Sequence, residues 1–252
     1  MGKVPQMDKQ GIYDRFGDGI VDPAPRRASD LEALVLLCRI LAGEGHSDNL
    51  AGQVTIRRDG RTWLTLCIGP LFGEVTAEDV CVVDEELNPV DGTGAGNPAL
   101  RFHMWLYRAR PRVRCVIHTH PRFTSALSMI GQPLVVSHMD TAMFHDDCAF
   151  LPEWPGVPFC DDEGRIICEA IGDKRSILLA HHGYVTTGET IEEATYLAVF
   201  LERAAPMQLL AQSAGAIEAI APELAREAHG FLLKPAVVNA TFEAWARRAR
   251  AP

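Results

Sequence analysis

The 252-residue sequence predicts a single α/β domain. Three observations carry that expectation. Apolar runs with strand character intermix with stretches of helical periodicity along the whole chain. No Pro/Gly/Ser-rich linker divides them, and no internal repeat or low-complexity tract occurs. Hydrophobic residues make up 47% and charged residues 23%, a balance that excludes a disordered chain.

The elements follow in order. Residues 1–28 read as a tail of scattered Gly, Pro and charge, stiffened at its end by Pro23-Ala24-Pro25, so the domain proper spans 29–252. Ser29 and Glu32 form a capping box. Leu31, Leu34, Val35, Cys38 and Leu41 follow at helical spacing up to about Gly43. The polar segment 44–53 is a loop. Val54-Thr55-Ile56 and Trp63-Leu64-Thr65-Leu66 form two strands joined by a turn at Arg58-Asp59-Gly60-Arg61. Thr76 caps a short helical turn before the strand Val80–Val83. The glycine-rich stretch 91–96 is a loop, and Asn97-Pro98 opens a helix that ends before Pro111. A strand over 113–120 and a helix over 123–130 come next, followed by a strand at Leu134-Val135-Val136. A helix over 162–171 and a strand over 176–180 precede a second capping box, Thr190 with Glu193. It starts a long helix to about Ser213, kinked at Pro206. Two helical stretches, 222–229 and 239–250, end the chain.

Composition narrows the function. Lys+Arg number 24 and Asp+Glu 33, a net charge of −9 that argues against a nucleic-acid partner. No run reaches the ~18 apolar residues of a membrane span, and no apolar leader core follows Met1. The seven cysteines are odd in number and form no CxxC pair. They read as buried thiols in a reducing compartment, so the expected location is cytoplasmic.

Histidine is the residue type in surplus, with nine copies. In a strand, His118 and His120 share a face, about 7 Å apart along it, and can grip one divalent ion; as polar strand residues they can equally bond to neighbouring loops. The strand ending in His181-His182-Gly183 brings more imidazole to the sheet rim. Three imidazoles on one ion leave positions open for water or substrate, which is a catalytic pattern.

These residues in this order resemble the class II aldolase/adducin family. The features are a strand carrying His118-Thr119-His120, a strand ending His181-His182-Gly183 about sixty residues on, and then an acidic-capped helix. Gln53-Val54-Thr55-Ile56-Arg57 stands where the family has Asn-Val-Ser-x-Arg or His-Ile-Ser-x-Arg. Phe102-His103 through Arg108-Ala109-Arg110-Pro111 resembles the helix leading into the histidine strand, and Gly172-Asp173-Lys174-Arg175 is also familiar. The resemblance covers about 29–215. It implies a three-layer α/β/α fold with a central, mostly antiparallel sheet, and a homotetramer with active sites at subunit interfaces. It also implies a divalent metal, zinc first and manganese second, on His118, His120 and His182.

The departures sharpen the expectation. Ala99 stands where sugar-phosphate aldolases of the family carry a glutamate, and the serines that hold phosphate are missing. Gln53 replaces a substrate-touching asparagine. His138 is the candidate acid/base, because histidine titrates near neutrality. His46, in a loop that approaches substrate in relatives, and Arg122, two residues beyond His120, are candidate substrate contacts alongside Gln53. Arg101 is read as a surface ion pair and His103 as a satisfied core histidine. The function implied is a metal-dependent lyase acting on a small molecule. It would cleave a carbon–carbon bond, by retro-aldol reaction or decarboxylation, in a non-phosphorylated hydroxy/keto or aromatic carboxylate through a metal-stabilised enolate. A non-catalytic adducin-like interaction module is the alternative, or an epimerase or dehydratase on a related substrate.

Overall fold

The computed structural model describes residues 11–12, 29–46, 49–92 and 94–250. Apart from Gly11 and Ile12, the predicted tail lies outside the described residues. Helix α1 (Asp30–Gly43) starts where the capping box places it: Ser29 Oγ accepts from Glu32 N and Glu32 Oε2 accepts from Ser29 N, both at 3.2 Å. Its buried face carries Leu34, Leu37, Cys38 and Leu41.

Eight strands make one sheet. They are β1 (Gln53–Arg57), β2 (Trp63–Leu66), β3 (Val80–Val83), β4 (Pro89–Asp91), β5 (Cys115–Thr119), β6 (Cys148–Leu151), β7 (Ser176–Leu179) and β8 (Tyr184–Gly188). Their order is β4-β3-β2-β1-β5-β8-β7-β6. Only the β6–β7 pair is parallel, so the sheet is mostly antiparallel, as the resemblance implies. The β1–β2 hairpin turns on Asp59, whose carboxylate accepts from Arg61 N and Thr62 N.

Helices cover both faces, which is why the strands read as near-continuous apolar runs. On one face Leu178, Ile117 and Ile56 pack with Leu34 and Leu37 of α1 and with α5 (Ile191–Ala214) and α7 (Pro235–Ala249). On the other, Ile177, Leu179, Val116 and Val185 pack with α2 (Arg101–Ala109) and α4 (Asp161–Ile171) through Phe102, Leu106 and Ile167. Helix α3 (Arg122–Met129) follows β5, and α6 (Pro222–Leu232) precedes α7. Proline opens both α6 and α7, its fixed φ and missing N–H suiting a first helical turn.

Three expectations change. Leu134-Val135-Val136 is extended but joins no strand. Val135 N donates to Gln208 Oε1 and Ile220 N to Val136 O, so a helix side chain and a connection satisfy backbone that a strand neighbour would otherwise hold. The stretch 91–96 is not all loop, because β4 closes onto β3. Strands β6 and β8 arise where the sequence shows no period-2 alternation; β8 is buried along its whole length, so its polar threonines sit inside. Among the described residues no helix is long and apolar enough to cross a membrane.

Candidate metal centre

Strand β5 lies between β1 and β8, with His118 opposite Gln53 on one side and Val185 on the other. That register turns His118 to the α2 face, where Phe102 meets it edge-on at 5.2 Å between ring centres. His120 follows on the same face, just past the strand end. The turn between β7 and β8 delivers the third ring. Leu179 N donates to Gly183 O (2.8 Å), His182 N to Leu179 O (3.2 Å) and His181 N to Ser128 O (3.1 Å). His181 adopts φ +58°, a left-handed conformation that costs a non-glycine residue energy. Gly183 sits so close to β5 that a Cβ there would lie 2.6 Å from both Thr119 O and His120 Cδ2.

The three rings converge. Centroid separations are 4.7 Å for His118–His120, 4.8 Å for His118–His182 and 4.5 Å for His120–His182. One nitrogen from each lies within 4.8 Å of the others. His118 Nδ1 is 2.7 Å from the carbonyl of Tyr184. A carbonyl only accepts, so Nδ1 carries the proton and the Nε2 lone pair faces inward. There it meets His120 Nε2 at 2.8 Å. Burial, and then the neighbouring imidazoles, hold His118 far below the usual histidine range. Burial and His120 push His182 down to about 4, and burial lowers His120. All three rings are therefore neutral at pH 7, the state that ligates a cation. Converging neutral imidazole nitrogens, among them the inward lone pair of His118 Nε2, fit a divalent ion.

Gln53 stands beside them. It is 5% exposed, its Nε2 donates to Ala51 O at 2.5 Å, and its Oε1 is buried without a partner. It opens onto a narrow cleft whose wall includes Leu50, Thr65, Ile68 and Asn97. Asn97 Oδ1 accepts from Ala99 N, and the buried Ala99 methyl offers no proton.

The structure does not bring the other candidates into this group. His46 is buried on the opposite side of the sheet, with Nδ1 3.0 Å from both Thr119 Oγ1 and Tyr184 OH. Strand alternation points those two side chains to the α1/α5 face, away from His118. Arg122 opens α3 and faces the buried carboxylate of Glu202, in a groove shared with Glu44 and Arg203. His138 is half exposed, and its Nδ1 accepts from Asp140 N at the start of a short 3₁₀ turn (Met139–Phe144). Leu134 and Val136, which lead to it, pack on the α5 face, and among the described residues no contact joins its ring to the three histidines. Arg101 is the ion pair expected, bidentate to Asp161. His103 lies in the core as expected but is only half satisfied: Nδ1 is 2.8 Å from Thr55 Oγ1, while the buried Nε2 has no partner.

Two residues beside the site escaped the sequence reading. Glu202 on α5 accepts from Phe123 N, Thr124 N and Thr124 Oγ1, which anchors the first turn of α3 just past His120. A helical glutamate carries no sequence mark of such a role. The Trp154 ring lies 6.4 Å from His182. A tryptophan between Pro152 and Pro155 was the available signal.

The family model for the class II aldolase and adducin N-terminal domain matches residues 32–209. The chain belongs to this family. Among class II aldolase/adducin relatives, the chain is 34% identical over 184 residues to the 4-hydroxy-3-prenylphenylpyruvate oxygenase/4-hydroxy-3-prenylbenzoate synthase of Streptomyces roseochromogenus subsp. oscitans, covering 71% of this chain and 66% of that protein. It is also 34% identical to Decarboxylase NovR of Streptomyces niveus, covering 71% of this chain and 68% of that protein. The match thus spans about two thirds of the length of these relatives. The L-fuculose 1-phosphate aldolase from Glaciozyma antarctica PI12 superposes with a TM-score of 0.78 at 26% identity, over 90% of this chain and 94% of that one.

Proposed function

We propose that the protein is a divalent-metal-dependent lyase that breaks a carbon–carbon bond in a non-phosphorylated hydroxy/keto or aromatic carboxylate. The observation that carries this is the convergence of His118, His120 and His182 as neutral imidazoles. Relatives named as decarboxylases and aldolases support the reaction class. A divalent ion on these three rings, zinc first and manganese second, supplies Lewis acidity that stabilises negative charge on a substrate oxygen. Tyr184 O holds His118 in the ligating tautomer. Gln53 Oε1, buried and unpartnered, is placed to accept from a substrate hydroxyl.

Ala99 favours decarboxylation over retro-aldol cleavage. Retro-aldol cleavage needs a base to take the substrate hydroxyl proton. Loss of carbon dioxide needs only one proton delivered to the carbon left behind, and the carboxylate departs without deprotonation. The donor is proposed to be His138 acting across a subunit interface of a homotetramer, since no contact among the described residues of one chain joins its ring to the three histidines; Nδ1 accepts from Asp140 N, which leaves Nε2 to carry the proton.

The test is metal analysis of protein purified without chelator or affinity-tag metal, with a screen of keto acids, hydroxy acids and aromatic carboxylates. About one equivalent of zinc or manganese per chain is expected. His120→Ala should remove both metal and turnover while the circular dichroism spectrum is kept. Less than about 0.3 equivalents, with no gain on adding either metal, would overturn the lyase reading in favour of a non-catalytic adducin-like module.

A further inference from the structure

We infer that Trp154 is the wall on which a planar substrate ring stacks, making it the residue that selects aromatic carboxylates at the three-histidine site. The inference rests on the proposed lyase reading and specifies its substrate class.

Trp154 sits on the connection between β6 and α4, held between Pro152 and Pro155. Its ring centre is 6.4 Å from that of His182, with the planes tilted by 50°. That separation puts the indole beside the ring that closes the histidine group, at the distance of one neighbouring aromatic layer. Yet 51% of its surface is exposed. A tryptophan left half in water next to a polar centre forgoes burial that the fold has not used.

The surroundings agree. The cleft beside Gln53 is walled by Leu50 and Ile68, each 53% exposed. Among the described residues lining that cleft, none is charged. Leu50, Leu66, Ile68 and Phe72 give the cleft an apolar side, and Asn49, Gln53, Thr65 and Asn97 give it a polar one. Two polar features suit an aromatic hydroxy acid: the orphaned acceptor of Gln53, matched to one hydroxyl, and the histidine group, matched through its ion to a carboxylate.

A matched pair of probes tests this. 4-Hydroxybenzoate and trans-4-hydroxycyclohexanecarboxylate carry the same two polar groups on a planar and a puckered ring. Each is titrated calorimetrically into zinc-loaded wild type, Trp154→Ala and Trp154→Phe, and into the same proteins stripped of zinc. Wild type should prefer the aromatic acid by about tenfold, the size of one stacking contact plus its buried area. Trp154→Ala should bind the two acids within about twofold of each other, and Trp154→Phe should keep most of the preference. Zinc content should be equal in all three proteins. The proposal is overturned if wild type shows no aromatic preference, if Trp154→Ala retains it, or if both acids weaken equally. Failure of the lyase reading is a separate result, seen as absence of zinc from the wild-type protein.

Discussion

Replacing Gly183 by alanine tests whether the spacing between β5 and the β7–β8 turn decides metal affinity. The added methyl would stand 2.6 Å from Thr119 O and from His120 Cδ2. Carbon contacts of this kind settle near 3.5 Å, so the turn must retreat by about 0.9 Å or the His120 ring must rotate. Thr119 O is backbone inside a paired strand and cannot yield cheaply. The turn that moves is the one carrying His182, and ligand distances in a metal site tolerate only about 0.2 Å. Zinc affinity should therefore fall by about 10- to 100-fold, the loss typical when ligand orientation is disturbed. Overpacking should cost about 1–3 kcal/mol, or about 2–12 °C in Tm for a chain of this size. The assay is competition for zinc against a chromophoric chelator, with melting followed by circular dichroism. Gly43→Ala is the control: it lies at the end of α1, and nothing stands within 4 Å of its added methyl. Wild-type zinc affinity in Gly183→Ala would refute the reasoning, as would a Tm loss without an affinity loss.

Three further outcomes are expected. Burial pushes His46 and His103 down to about 3, so the unfolded chain, titrating near 6.5, binds more protons than the native state between those limits. Stability present above pH 6.5 is then lost as pH falls towards 3, at about 2 kcal/mol per histidine by pH 5, readable from urea midpoints at pH 7.5 and 5. Glu202→Ala leaves three donors at the start of α3 unpaired and should cost about 3 kcal/mol, a drop of about 6–12 °C on a thermal melt. Light scattering should give about 110 kDa, four times the 27.6 kDa chain. Mixing inactive His138→Ala with inactive His120→Ala should then restore partial turnover; a monomer, or no restoration, would remove His138 from the mechanism.

The histidine group was largely legible before any coordinates. Alternation along 113–120 puts His118 and His120 on one face, and local spacing alone carries that information. Capping signals at Ser29 and Thr190 located two helix starts to the residue. The same local logic failed for Leu134-Val135-Val136, because what pairs with an extended segment is decided by its neighbours in space.

The pattern of residues thus specified the sheet-and-helix class and, by spacing along one strand, the pair His118 and His120; the family and the choice of His182 over His181 came from the resemblance of several separate motifs. Tertiary structure alone decided which side of the sheet each remaining candidate occupies. His46 and His118 are both joined to Tyr184, one through its hydroxyl and the other through its carbonyl, yet they lie on opposite faces of the sheet. Arg122 is two residues from His120 but turned to Glu202, and Trp154 is 28 residues from His182 but beside it. Such relations come from strand register and helix packing across distant parts of the chain, and no local periodicity encodes them.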